Sequence, residues 1–242
     1  RGSAPPSFFA LMPPKKILVV VSSHDKLGDT GKPTGWYLPE VAHPLAVFKE
    51  AAIPFDVISP AGGKAPCDPG SQEAFKGDAI CAAFDYSVTD NTKTPDQVNF
   101  ADYGAIMYAG GHGTMWDFQD PRLAALAVAI HGAGGVVGAV CHGPAGLLTI
   151  KVGDDFLIKG KKVTGFSNAE EEAVGLTAVV PYSLEDRLKE CGGVYSKGAE
   201  MWVDHVESDQ RVVTGQNPTS STSFAKEIVR LLVTSPLAFS VF

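Results

Sequence analysis

Val136-Val137-Gly138-Ala139-Val140-Cys141-His142-Gly143-Pro144 is an apolar run that stops at a thiol and turns on a Gly-Pro pair. With Gly135 before it, the run to Val140 reads as a buried parallel strand. Ala145, Leu147 and Leu148 continue it with a helical pattern. The order strand, turn, helix with a Cys at the bend has the form of a nucleophile elbow. Such a bend presents its side chain at the C-terminal edge of the sheet, where open α/β folds bind ligands. A helix N-terminus behind the sulfur is expected to lower the thiol pKa. Buried cysteine is also a common inert packing residue. That bland reading is assigned to Cys67, Cys81 and Cys191, which fall in loops or at helix ends.

Outward from this elbow the chain alternates strands and helices. Lys16 to Val21 is a second continuous apolar run, and Phe55 to Ser59 a third. Between them Pro39 to Ala52 has Val41, Leu45 and Phe48 at helical spacing, with Pro39 suited to the first turn. Residues 60–100 are rich in Gly, Pro, Asp and Asn and read as loops with short helices. Ala105 to Tyr108 is a strand and Pro121 to His131 a helix stopped by Gly132. Further on the pattern predicts a hairpin over 157–165, a helix over 183–191, strands near 194 and 211–214, and a helix over 218–233. Alternation of this kind predicts an α/β fold with a mostly parallel sheet covered on both faces. No internal repeat or linker divides residues 15–233, which read as one domain.

The 242 residues carry 20 Lys plus Arg against 27 Asp plus Glu, a net charge of −7, with no basic run. Nucleic acid is therefore not an expected partner. No apolar stretch approaches the ~20 residues of a membrane helix, and Phe8 to Met12 is too short for a signal-peptide core. Four cysteines without C-x-x-C spacing suit a reducing compartment, and a cytoplasmic location is expected. Arg1-Gly2-Ser3 has the look of an expression remnant, and Met12 of a natural start. Residues 1–14 and 234–242 read as tails.

Three further places carry candidate chemistry. Gly110-Gly111-His112-Gly113 ends a strand, and amides in a glycine-rich bend can face a developing oxyanion. His112 reads equally as a base or as a polar loop residue. Glu40 lies in the first turn of its helix, at the same sheet edge as Cys141. From position alone it is a solvated acid favoured by the helix dipole. Close to a thiol it would instead be desolvated and raised in pKa, a proton shuttle. Glu40-x-x-His43 has a metal-ligand spacing but no marked third ligand, so no metal and no cofactor are expected. Gly132 to Gly138 follows a helix and opens a strand, the reverse of a dinucleotide loop.

Ala139-Val140-Cys141-His142-Gly143-Pro144, Ala109-Gly110-Gly111-His112-Gly113, Tyr37-Leu38-Pro39-Glu40-Val41-Ala42-His43-Pro44 and Val213-Thr214-Gly215-Gln216-Asn217-Pro218 together carry a resemblance. They resemble the PfpI-type branch of the class I glutamine amidotransferase-like superfamily, over roughly residues 15–233. Within it the chain is most similar to the heat-shock chaperone group described as glutathione-independent glyoxalase III. The resemblance implies a flavodoxin-like three-layer α/β/α sandwich and a homodimer. It implies a nucleophile at Cys141, a partner at His142 and a buried acid at Glu40 touching the sulfur. It implies a carboxylate after Gly165-Phe166 that orients His142, with Glu171 first choice and Glu170 second. Oxyanion donors are implied at the backbone N–H groups of Gly111 and His142. Tyr37, His112, Trp116 and Phe166 are expected to wall a small pocket. No downstream His-x-Glu pair is carried over from the amidotransferases, and the metal ligands of larger bacterial chaperone-group members are not carried over either.

The resulting expectation is an enzyme that converts a small dicarbonyl, methylglyoxal, and water to D-lactate without glutathione. Cys141 would form a hemithioacetal, Glu40 or His142 would move the proton, and the thioester would be hydrolysed. A stress-linked holding chaperone or redox sensor with an oxidisable Cys141 is the first rival. A small Cys peptidase or amidase is the second.

Overall fold

A computed structural model describes residues 15–234. The two expected tails, apart from Thr234, lie outside them. Strands β1 (Lys16–Val20), β2 (Phe55–Ile58), β3 (Tyr103–Tyr108) and β4 (Val136–Val140) form the parallel part of the sheet. Helix α1 (Pro39–Glu50) joins β1 to β2. Short helices α2 (Pro69–Ala74), α3 (Ala79–Ala82) and α4 (Ser87–Asp90) fill the long connection to β3. Helices α5 (Thr114–Asp117) and α6 (Pro121–Gly132) lead to β4. Beyond the elbow come the two-residue strands β5 (Lys151–Val152), β6 (Asp155–Phe156) and β7 (Lys162–Val163). Then follow α7 (Asn168–Ala173), α8 (Leu184–Glu190), β8 (Val194–Tyr195), β9 (Val206–Asp209), β10 (Val212–Gly215) and α9 (Ser221–Val233).

The main sheet runs β2-β1-β3-β4-β10-β9, parallel except for the edge strand β9. This is the flavodoxin-like order with an antiparallel edge added. The order reverses between β1 and β3, so right-handed crossovers send α1 and α6 to opposite faces. α1 packs on α9, while α6 packs on β3 and β4. Both faces are covered, and accordingly Ile17 to Val20 and Val136 to Val140 are buried throughout. The register aligns Val20 with Tyr108, Tyr108 with Ala139, and Val140 with Gly215. Ser22, Gly110, Cys141 and Gln216 therefore leave the sheet at one edge. No helix among the described residues is long and apolar enough to cross a membrane.

Several local expectations are corrected. The hairpin lies at 151–156, not 157–165, because Gly153 supplies the left-handed turn at φ 66°. Lys162–Val163 pairs instead with Val194–Tyr195 in parallel. β9 has no apolar alternation because it is a half-exposed edge bearing Glu207 and Asp209. α6 runs through Gly132, and the left-handed stop is Gly134 at φ 79°. The segment after the elbow is a 3-10 helix, Gly143–Thr149. A Cβ at Gly146 would stand 2.6 Å from the Tyr108 ring, so the segment is pressed flat on β3.

Candidate active site

Cys141 ends β4 with φ 59°, a left-handed conformation that a non-glycine residue adopts only at a cost of ~1–3 kcal/mol. Its N–H donates to Gly215 O at 2.9 Å, and its carbonyl accepts from Phe166 N at 2.8 Å. These two bonds fix the strained bend between β10 and the segment leading to α7. Sγ lies 3.4 Å from His142 Nδ1. His142 Nε2 donates to Glu171 Oε2 at 2.7 Å. With Nε2 carrying the proton, Nδ1 is left as an acceptor facing the thiol. His112 Nε2 lies 2.9 Å from the other oxygen, Glu171 Oε1. One carboxylate thus orients two imidazoles, whose ring centroids are 4.2 Å apart.

The electrostatics follow from burial. His142 is pushed below its ordinary pKa by desolvation and by neighbouring His112, so it rests neutral. Burial pushes the Glu171 carboxyl up, but the His142 and His112 imidazoles outweigh it and hold it well below the usual carboxylate range. The expected low pKa of Cys141 is overturned. Desolvation first, then the Glu40 carboxyl, push the thiol well up. A seven-residue 3-10 helix offers too small a dipole to offset complete burial. Cys141 therefore rests as a thiol, and the imidazole at 3.4 Å must take its proton during attack.

Glu40 is fully buried, contrary to the solvated-acid reading. Burial raises its pKa to about 8, and the nearby Cys141 thiol and Gly110 N–H lower it only partly. Neither carboxyl oxygen completes a hydrogen bond among the described residues. The orphaned acid is admitted because residue 110 is glycine. A Cβ there would stand 2.3 Å from Glu40 Oε2 and 2.7 Å from Val140 O. Gly110→Ala is expected to cost about 1–3 kcal/mol by overpacking, read as a lower urea midpoint with an unchanged slope.

The glycine-rich turn is tied to the elbow by Thr114, whose hydroxyl bonds both Gly111 O at 2.9 Å and His142 O at 3.1 Å. Gly111 has φ 103°, and among the described residues the N–H groups of Gly111 and His142 have no carbonyl acceptor. Tyr37 is drawn in through its N–H, which donates to Gly110 O at 3.0 Å. Phe166 packs on His142 at a tilt of 35°, with centroids 4.3 Å apart. Trp116 does not join this group; it stacks on His24 in the loop after β1, centroids 5.1 Å apart. The aromatic beside Phe166 is instead Trp202, at 5.6 Å, half-exposed and absent from the sequence expectations.

Glu170 faces away from His142. Its Oε2 accepts from Ser167 N and Oγ, a capping box. Its Oε1 accepts from Trp202 N, Gln216 Nε2 and Asn217 Nδ2 at 3.0, 3.0 and 2.8 Å. This acid fastens α7 to the Trp202 loop and to the end of β10. Glu170→Ala strands these donors and is expected to destabilise the fold by roughly 3 kcal/mol, measurable by chemical denaturation.

Residues 35–231 match the DJ-1/PfpI family model. The chain is a member of the DJ-1/PfpI family. Among its relatives in this family is the glutathione-independent glyoxalase HSP31 of Saccharomyces cerevisiae, 33% identical, covering 88% of this chain and 96% of that one. The crystal structure of glyoxalase III from Candida albicans superposes with a TM-score of 0.80 at 27% identity, covering 90% and 97% of the two chains. The Francisella tularensis Rapid Encystment Protein of 24 kDa superposes with a TM-score of 0.81 at 41% identity, covering 90% and 99%. The flavodoxin-like α/β architecture is thus that of other DJ-1/PfpI proteins.

Proposed function

We propose that the chain is a glutathione-independent glyoxalase that converts methylglyoxal and water to D-lactate at Cys141. The observation that carries this reading is the pairing of a His142–Glu171 dyad with a second, neutral acid, Glu40, at the same sulfur. Acyl transfer alone needs nucleophile, base and orienting carboxylate. An internal redox between adjacent carbons also needs an acid that protonates the neighbouring carbonyl oxygen while the carbon-bound proton moves, and a buried acid raised to about 8 suits that step. The names of the yeast and Candida relatives support the same substrate class.

The steps balance without a cofactor. The thiol gives its proton to His142 Nδ1 as sulfur bonds the aldehyde carbon, and the oxyanion accepts from the Gly111 and His142 N–H groups. His142 returns the proton to that oxygen, completing the hemithioacetal. His142 then takes the C1 hydrogen while Glu40 protonates the ketone oxygen, giving an enediol. The proton held by His142 goes to C2, the O1 proton returns to Glu40, and a thioester remains. Water, deprotonated by His142, attacks the thioester, and the departing sulfur recovers the proton. Phe166 and Trp202 supply an apolar wall for the substrate methyl group. The reading extends to residues 15–233 acting as one domain, as a homodimer, in the cytoplasm. The test is D-lactate formation from methylglyoxal by purified protein with no added thiol. Consumption of methylglyoxal without D-lactate overturns the proposal.

A further inference from the structure

A second cluster of reactive side chains lies away from Cys141. His43 sits one turn beyond Glu40 on α1, while Asp78 and Cys81 belong to the cap and body of α3. The fold brings one ligand atom from each within 4.8 Å of the others. His43 Nε2 is 3.2 Å from Asp78 Oδ1, and His43 Nδ1 is 3.2 Å from Thr222 Oγ1 on α9. Cys81 is buried, while His43 and Asp78 are partly open to solvent. The cluster has a dry floor and a wet mouth.

We propose that His43, Asp78 and Cys81 bind a divalent cation of borderline softness, zinc by preference, with water completing the shell. Imidazole, carboxylate and thiolate form a zinc-like donor set. Zinc bonds of ~2.0–2.3 Å place neighbouring ligand atoms roughly 3.3–3.8 Å apart in a tetrahedron. His43 and Asp78 already stand near that spacing at 3.2 Å. The sulfur, within 4.8 Å of both other ligand atoms, needs a shift of little more than about an ångström at most, within reach of a side-chain torsion. Two backbone N–H groups donate to the same Asp78 Oδ1, from Ile80 at 3.0 Å and Cys81 at 2.9 Å, and fix the carboxylate beside His43.

The outer partner fits both states. Without an ion, Nε2–H donates to Asp78 and the Thr222 hydroxyl donates to Nδ1. With an ion on Nε2 the ring proton moves to Nδ1, and the same hydroxyl accepts it. A thiolate ligand requires that the ion displace the Cys81 proton to solvent, so binding weakens in acid. The bound ion would tie α1 to α3.

The active site holds a rival donor set, His112, His142 and Glu171, so the test must separate the two. Chelator-stripped protein is titrated with cobalt(II), and the near-ultraviolet sulfur-to-cobalt band is followed along with proton release. The expected result is one equivalent bound with a thiolate band that persists in Cys141→Ser and disappears in Cys81→Ser. His43→Gln and Asp78→Asn are expected to weaken binding by about 10²-fold or more. Both positions are partly exposed, so these variants decide the matter if Cys81→Ser fails to fold. Methylglyoxal turnover is expected to stay near wild type in His43→Gln, which keeps this test independent of the proposed activity. A band that survives Cys81→Ser and is lost in Cys141→Ser overturns the site. So does wild-type affinity in His43→Gln, or no thiolate band at all.

Discussion

Cys141→Ala is expected to abolish conversion of methylglyoxal, lowering kcat/KM by at least ~10⁴-fold. Among the described residues, Cys141 alone has an imidazole within hydrogen-bonding distance of its sulfur. Cys67 is pushed up to about 12 by burial and contacts Ser71. Cys191 is buried against Leu148 O, 3.9 Å away. Cys67→Ser, Cys81→Ser and Cys191→Ser should therefore each keep most of the activity. The variant should also keep its fold, because the strained φ of 59° is tolerated at least as well by alanine as by cysteine. Far-UV circular dichroism with steady-state D-lactate assays checks both parts. Appreciable turnover in Cys141→Ala would remove the covalent step and return the chemistry to the His142–Glu171 pair acting on free hydrate.

The elbow was legible because its signals are local: an apolar strand, a thiol and a Gly-Pro turn within nine residues. The glycine-rich turn was legible for the same reason. Glu170 and Glu171 could also have been separated in advance. Ser167-Asn168-Ala169-Glu170 is a capping-box pattern, which commits Glu170 to the helix end and leaves Glu171 for the imidazoles. Other features depend on long-range placement. Nothing near residue 40 says that Glu40 is buried; that follows from a glycine seventy positions away that vacates the space. Only the family resemblance reached it. The sign of the Cys141 pKa shift was missed because a helix end can be read from sequence and desolvation cannot. Trp202 lies in an irregular loop without periodicity, held by a backbone bond to Glu170. Asp78 and Cys81 reach His43 only through the packing of α1 against α3.

Glu40→Gln separates hydrogen bonding from proton transfer. Glutamine fills the same volume and can donate to sulfur, but it cannot release and regain a proton. Turnover is expected to fall by roughly 10²–10⁴-fold, while alkylation of Cys141 stays within a few-fold of wild type, because His142 still accepts the thiol proton. In wild type the same group sets the alkaline limit. The proposed step needs the protonated acid, so kcat should decline as pH rises through about 8. A linked effect appears in stability. The unfolded carboxyl releases its proton near ~4.3, whereas the buried one holds it to about 8. Between these values the folded state binds the extra proton, so stability is full below the lower value and falls as pH rises through the window. The loss is on the order of 4 kcal/mol by pH 8. Glutamine removes that ionisation, so the Glu40→Gln protein should gain on wild type steadily from pH 5 to pH 8 in urea titrations. Parallel stability profiles for the two proteins would mean that Glu40 ionises normally in the fold. The oxygen protonation assigned to Glu40 would then have to come from the imidazoles as well.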